Sequence, residues 1–169
     1  MMFDPALLAT LDALAHTLRA RRWRLATAES CTGGLIAAAC TALPGSSDWL
    51  ERGFITYSNA AKTDLLGVPP ALIAAHGAVS EPVARCMAQG AALRARVPVS
   101  LAVTGVAGPG GGSAAKPVGT VWLGWCVNGV ASAECRHFSG DRHAVRMAAA
   151  AHALHGVLAR VQAAGQAAA

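Results

Sequence analysis

The run Thr27-Ala28-Glu29-Ser30-Cys31-Thr32-Gly33-Gly34 constrains this chain more than any other feature. An apolar, β-prone stretch, Trp23 to Thr27, stops there, and a helical run, Leu35 to Leu43, begins beyond the two glycines. A strand that turns directly into a helix places Ser30 at the rim of a sheet. The N–H groups of the first helical turn have no partner inside the helix, so they point at whatever the serine holds. A nucleophile beside a ready-made anion site is the minimum geometry for acyl transfer. The same residues also suit a tight β-to-α turn capped by Ser30 or Thr32.

The remaining pattern is an alternation of helices and strands. Asp4-Pro5 reads as a helix start, followed by a stripe of Phe3, Leu7, Leu11, Leu14 and Leu18. Gly53 to Tyr57 reads as a second strand, Ala60 to Leu66 and Pro70 to His76 as short helices, and Glu81 to Arg94 as a longer helix capped by Ser80. Val99 to Val103 is a buried strand that ends in a glycine-rich loop. Gly119 to Val127 and Val130 to Phe138 flank Asn128-Gly129, a hairpin signal. Asp141 caps a last helix, and the alanine-rich tail after Gln162 is expected to fray. This pattern predicts a single domain over residues 1–169, an α/β chain folded as a three-layer α/β/α sandwich on a mixed, mostly parallel sheet of about five strands. Ser30, Tyr57 and Thr104-Gly105 then share the carboxyl rim of the parallel strands, where such sheets bind ligands.

Composition narrows the function classes. Hydrophobic residues make up 54% of the 169 and charged residues 14%, which suits a compact globule rather than a disordered chain. The long uncharged runs are broken by glycine, proline and asparagine, and the N-terminus carries Asp4, Asp12 and His16 where a signal peptide needs an apolar centre. A cytoplasmic setting with no membrane partner is the expectation. Five scattered cysteines, Cys31, Cys40, Cys86, Cys126 and Cys135, argue against a disulfide framework and a structural zinc site. The net charge is +5, and Arg19, Arg21, Arg22 and Arg24 form the densest basic run. Without interleaved aromatics beyond Trp23, that run reads as a solvated helix end rather than a nucleic-acid surface. No cofactor or metal is expected, since no His, Cys and carboxylate group has ligand spacing.

The chemistry needs a base for Ser30, because a serine hydroxyl is a poor nucleophile at neutral pH. The six histidines lie in no Ser/His/Asp motif. Of 14 basic residues only Lys62 and Lys116 are lysine. Arginine does not lose its proton in a protein, whereas a partly buried lysine does, so Lys62, in the first turn of a helix after the second strand, is the candidate base. Tyr57, the one tyrosine, is placed to relay a proton or orient an amide. Glu29 is placed to orient a ligand or Lys62, or to form a local ion pair. Cys31 is the competing nucleophile, disfavoured because adjacent side chains leaving a strand point to opposite faces. In the stretch Thr104 to Gly112, Thr104, Gly105, Gly108, Gly110 and Gly111 let backbone approach a phosphate or ribose, or form a flexible linker. Lys116 and Arg142 are candidate phosphate contacts.

Four blocks carry a family resemblance: Ala28 to Gly34; Tyr57-Ser58-Asn59-Ala60-Ala61-Lys62 leading to Leu66-Gly67-Val68; Gly77-Ala78-Val79-Ser80; and Thr104 to Gly111 followed by Lys116-Pro117-Val118-Gly119. Gly140-Asp141-Arg142 is a weaker fifth. In these blocks the chain resembles the C-terminal domain family of the competence/damage-inducible protein CinA, the nicotinamide-nucleotide amidases, from about Leu7 to about Leu158. The resemblance implies the same sandwich, a stand-alone amidase, and hydrolysis of nicotinamide mononucleotide to nicotinic acid mononucleotide and ammonia. In that reading Ser30 attacks, Lys62 takes its proton, and Thr32, Gly33, Gly34 and neighbouring N–H groups hold the oxyanion. A pyridine nucleotide is the expected partner, nucleic acid is not, and a homo-oligomer is left open. The alternative is a nucleotide-binding or regulatory module that keeps the glycine loop without needing Ser30 and Lys62 together.

Overall fold

A computed structural model describes residues 3–166. Its element order is α1 (Pro5–Arg21), β1 (Leu25–Glu29), α2 (Leu35–Thr41), a 3-10 turn (Ser46–Asp48), β2 (Leu50–Ile55), α3 (Asn59–Leu66), α4 (Pro70–His76), α5 (Glu81–Ala95), β3 (Val99–Gly105), β4 (Thr120–Val127), β5 (Val130–His137) and α6 (Arg142–Gln166). The five strands form one sheet in the order β2-β1-β3-β4-β5. β1 pairs parallel with β2 and β3, while β3–β4 and β4–β5 are antiparallel, so only β4 runs against the other four. Helices α1, α2 and α6 cover one face, and α3, α4 and α5 the other. The expected three-layer sandwich on a mixed sheet is the observed one.

Local chemistry sets most boundaries. Asp4 accepts from the Ala6 N–H at 2.6 Å and Pro5 opens α1. The predicted stripe of Phe3, Leu7, Leu11, Leu14 and Leu18 is buried. Strand β1 starts two residues later than the sequence pattern suggests. Arg22 takes a left-handed conformation, and the N–H groups of Arg22 and Trp23 close the end of α1. At its other end β1 runs on through Glu29, whose side chain is buried. Strand β2 is likewise shifted, to Leu50–Ile55, with Gly53 inside it. A Cβ at Gly53 would lie 2.9 Å from Thr27 Oγ1, so the strand needs glycine there for close packing. Asn128 and Gly129 both have positive φ, as a two-residue hairpin turn requires. Ser80 stands at the N-cap of α5, but its hydroxyl donates to the Gly77 carbonyl and accepts no helix N–H. Helix α6 continues through Gln166, four residues past the expected fraying point, and residues 167–169 lie outside the described region.

The arginine run is tied into the fold. Arg19 donates to the Gly45 carbonyl and pairs with Asp48, Arg21 donates to the Val161 carbonyl and stacks on Trp23, and Arg24 pairs with Glu51. All five cysteines are free. No described helix is long and apolar enough to cross a membrane.

Helix α5 approaches the sheet closely enough to leave no room for a side chain at Gly124 of β4. A Cβ there would lie 2.3 Å from the Ala84 carbonyl oxygen. Backbone on both sides cannot yield cheaply, so Gly124→Ala should destabilise the chain by about 1–3 kcal/mol. Urea denaturation checks this: an unchanged midpoint would mean that α5 does not press on β4 at this depth.

Candidate active site

The parallel strands β2, β1 and β3 bring three chain segments to one rim. The Ser30 N–H donates to the Val103 carbonyl at 2.9 Å and the Thr56 N–H donates to the Glu29 carbonyl at 2.8 Å. Ser30 is therefore held at the point where β1 leaves the sheet. A cleft of about 240 Å³ opens above it, lined by residues from each segment, among them Ser30, Cys31, Tyr57, Asn59, Lys62, Thr104, Gly105 and Arg142.

Lys62 reaches the cleft floor from below. Ser58 caps α3 by accepting from the Ala61 N–H at 3.0 Å, and this sets the helix phase that turns Lys62 inward. Its Nζ lies 3.1 Å from Ser30 Oγ and 2.9 Å from the Thr56 carbonyl oxygen. The side chain is 1% exposed. Among the described residues no carboxylate pairs with it. Burial therefore pushes its pKa below the ordinary lysine value of 10.5. None of the six histidines lines the cleft. The nucleophile and base expected from sequence are thus brought together.

Among the described residues, Glu29 neither bonds Lys62 nor forms an ion pair. Its buried carboxylate turns away from Lys62 and accepts the N–H groups of Gly34 at 3.0 Å, Ile36 at 3.1 Å and Ala37 at 2.9 Å. It caps α2, the role that the sequence reading had offered to Ser30 or Thr32. Neither hydroxyl caps that helix: Ser30 Oγ faces Lys62, and buried Thr32 Oγ1 has no partner. This also removes the α2 N-terminus as an anion site. The Gly33 N–H is engaged too, with the Ser30 carbonyl at 3.0 Å, so neither Gly33 nor Gly34 offers a free donor. Among the described residues, the N–H groups of Cys31 and Thr32 have no acceptor.

Tyr57 lines the cleft from its mouth. It is 61% exposed, and its hydroxyl accepts from Arg142 Nη2 at 3.0 Å, not from Lys62. A proton relay through Tyr57 is not what this geometry offers. Arg142 also donates to the Gly108 carbonyl at 2.8 Å, so it joins the β2–α3 turn to the glycine-rich loop. Asp141 caps α6 by accepting from the Ala144 N–H. Thr104, buried, donates its hydroxyl to the Ala78 carbonyl. Gly105 is glycine because a Cβ would meet Val121 Cγ2 at 2.7 Å. Gly110 and Gly111 do not line the cleft, and Gly108 takes part through its carbonyl. Lys116, expected as a phosphate contact, instead donates to the His76 carbonyl at the end of α4. Among the described residues, Arg142 and Lys62 are the only Arg, Lys, Asp or Glu side chains lining the cleft. Asn59, at its edge, was missed by the sequence reading although it stands three residues before Lys62.

Comparison with known proteins covers nearly the whole chain. The family model for the CinA C-terminal domain matches residues 8–161. The chain belongs to the CinA C-terminal domain family. It is 49% identical over 156 residues to a protein of Escherichia coli K12 named nicotinamide-nucleotide amidohydrolase PncC, covering 90% of this chain and 93% of that one. A Pseudomonas putida protein of the same name is 52% identical over 145 residues, covering 86% and 91%. A CinA-like protein of Syntrophobacter fumaroxidans is 54% identical over 141 residues, but there the chain spans 33% of the relative's length. The crystal structure of the competence/damage inducible protein CihA from Agrobacterium tumefaciens superposes with a TM-score of 0.90 at 42% identity, over 94% of this chain and 98% of that one.

Cys31 borders the cleft but is 6% exposed, and burial pushes its thiol pKa up to about 11. At neutral pH it stays protonated and inert, because the thiolate is the reactive form. Iodoacetamide at pH 7.5 should label exposed Cys135 well before Cys31. Peptide mass spectrometry measures the order, and faster modification of Cys31 would make it, not Ser30, the better nucleophile.

Proposed function

We propose that this protein is a serine amidohydrolase that converts nicotinamide mononucleotide and water to nicotinic acid mononucleotide and ammonia. The amidohydrolase class rests on the relatives named above, two of which the chain matches along nearly their whole length. One observation carries the mechanism: a buried lysine amine, without a carboxylate partner, lies 3.1 Å from the hydroxyl of Ser30. Desolvation favours the neutral amine, which can accept the Ser30 proton as Oγ attacks the carboxamide carbon. The carbonyl electron pair moves to oxygen, where the N–H groups of Cys31 and Thr32 receive it. The Lys62 ammonium then returns a proton to the departing nitrogen, ammonia leaves, and water, activated by the regenerated amine, cleaves the acyl-enzyme.

Substrate charge fits the cleft wall. A nucleotide monophosphate is anionic, and Arg142 supplies a cation at the mouth with no carboxylate beside it in the lining. Lys116 has no part in this role. The amide end of the substrate lies over Ser30 and the phosphate end toward Arg142, with Asn59 between reach of both. A cytoplasmic site of action belongs to the same proposal.

Two substitutions separate nucleophile from base. Ser30→Ala should lower turnover by several orders of magnitude while the fold is kept, since one hydroxyl is lost at a strand end. Lys62→Arg should be nearly as inactive as Lys62→Ala, because arginine keeps the charge and cannot give up its proton. In the unmodified enzyme kcat/KM should rise with pH through one ionisation below 10.5, the amine being active only when deprotonated. Ammonia release from nicotinamide mononucleotide measures all three. More than about a tenth of the activity left in Ser30→Ala would end the covalent mechanism.

A further inference from the structure

The turn that carries Ser30 is gripped from two sides, and one grip has no part in the mechanism so far. Glu29 takes the N–H groups at the start of α2. From the opposite side Arg146, on the first turns of α6, donates Nε to the Cys31 carbonyl at 3.0 Å and Nη2 to the Thr32 carbonyl at 2.8 Å. Among the described residues it forms no ion pair. Its guanidinium packs under Gly33, where a Cβ would lie 3.5 Å from Nη2. A planar fork laid across two successive carbonyls fixes the direction of the peptides that carry them.

We propose that Arg146 is a positioning residue of the oxyanion site, holding the Cys31 and Thr32 carbonyls so that the free N–H groups of the turn stay aimed at the oxygen on which charge develops. The inference rests on the serine-amidohydrolase reading. The peptide between Cys31 and Thr32 is trans. Its N–H, that of Thr32, therefore points away from the carbonyl that Arg146 holds. The preceding peptide is tied in the same way: its carbonyl, that of Ser30, accepts from the Gly33 N–H, and the Cys31 N–H points to the other side. Successive N–H groups whose carbonyls are tied back make a concave anion site. A carbonyl that accepts a strong hydrogen bond also polarises its own peptide and makes its N–H a better donor. Cys31 lines the cleft, which sets the start of this pair beside it. Arg146 exchanges no proton. The Ser30 proton goes to Lys62, the bond to carbon forms at Oγ, and the carbonyl pair moves to the oxygen that the turn receives.

The test compares Arg146→Ala and Arg146→Lys on nicotinamide mononucleotide, with Ser30→Ala alongside. A lysine brings one compact charge that cannot fork across two carbonyls, so both Arg146 variants should lose kcat by about ten- to a hundredfold, with KM within about threefold. Added methylguanidine should restore part of kcat in Arg146→Ala and none in Ser30→Ala. A staple that merely holds the fold would not respond to methylguanidine at constant KM. Arg146→Lys also carries the test if the alanine variant fails to fold. Near-normal kcat in either variant, or a loss that follows rising KM and ignores methylguanidine, would overturn the positioning role. An active Ser30→Ala would instead overturn the reading on which it rests, and the two failures are told apart in one set of assays.

Discussion

An amine taken out of water and left without a counter-charge is the condition on which the site depends. Lys62 is 1% exposed, and its neighbours are a hydroxyl and backbone carbonyls. A charged ammonium is costly there, and the neutral amine is the form the surroundings favour. A carboxylate within reach would restore the charge and remove the proposed base. The structure places the nearby carboxylate, Glu29, on the other side of the turn, where three backbone N–H groups hold it. The same side chain thus ends the strand, caps the helix and stays clear of the lysine.

That arrangement also decides where negative charge can develop. A helix N-terminus is the usual anion site beside a strand-end nucleophile. Here Glu29 occupies it, and in the proposed mechanism the N–H groups of Cys31 and Thr32, ahead of the helix, take its place. Arg146 holds the Cys31 and Thr32 carbonyls and the Gly33 N–H holds that of Ser30, while among the described residues the N–H groups of Cys31 and Thr32 have no acceptor. The cleft is built from the end of β1, the β2–α3 turn, the α4–α5 connection, the end of β3 and the start of α6. Arg142 ties the last of these to the glycine-rich loop.

Much of this was legible in the sequence. Period and turn chemistry located every helix and strand, and the scarcity of lysine singled out Lys62. Boundaries failed where residues serve two elements: Arg22 and Trp23 close α1 rather than open β1, and buried Glu29 extends the strand beyond its apolar run. The roles of Tyr57 and Lys116 are read from position along the chain, whereas their side chains bond Arg142 and the His76 carbonyl. The cap on α2 was expected from a short hydroxyl beside the glycines, and came from a longer carboxylate reaching back from the strand. Arg146 carried no sequence signal. It lies 115 residues from the carbonyl of Cys31 that it holds, and only the packing of α6 on the sheet joins them.

The charge state of Lys62 tests the account most directly. The chain has two lysines, so Lys116→Arg leaves one. With 13C-labelled lysine, the Cε resonance of that variant can be followed by NMR across pH. The account predicts that Lys62 deprotonates clearly below 10.5, in the range where catalysis gains its base. A titration at or above 10.5 would show a lysine that stays charged at working pH and cannot take the proton of Ser30.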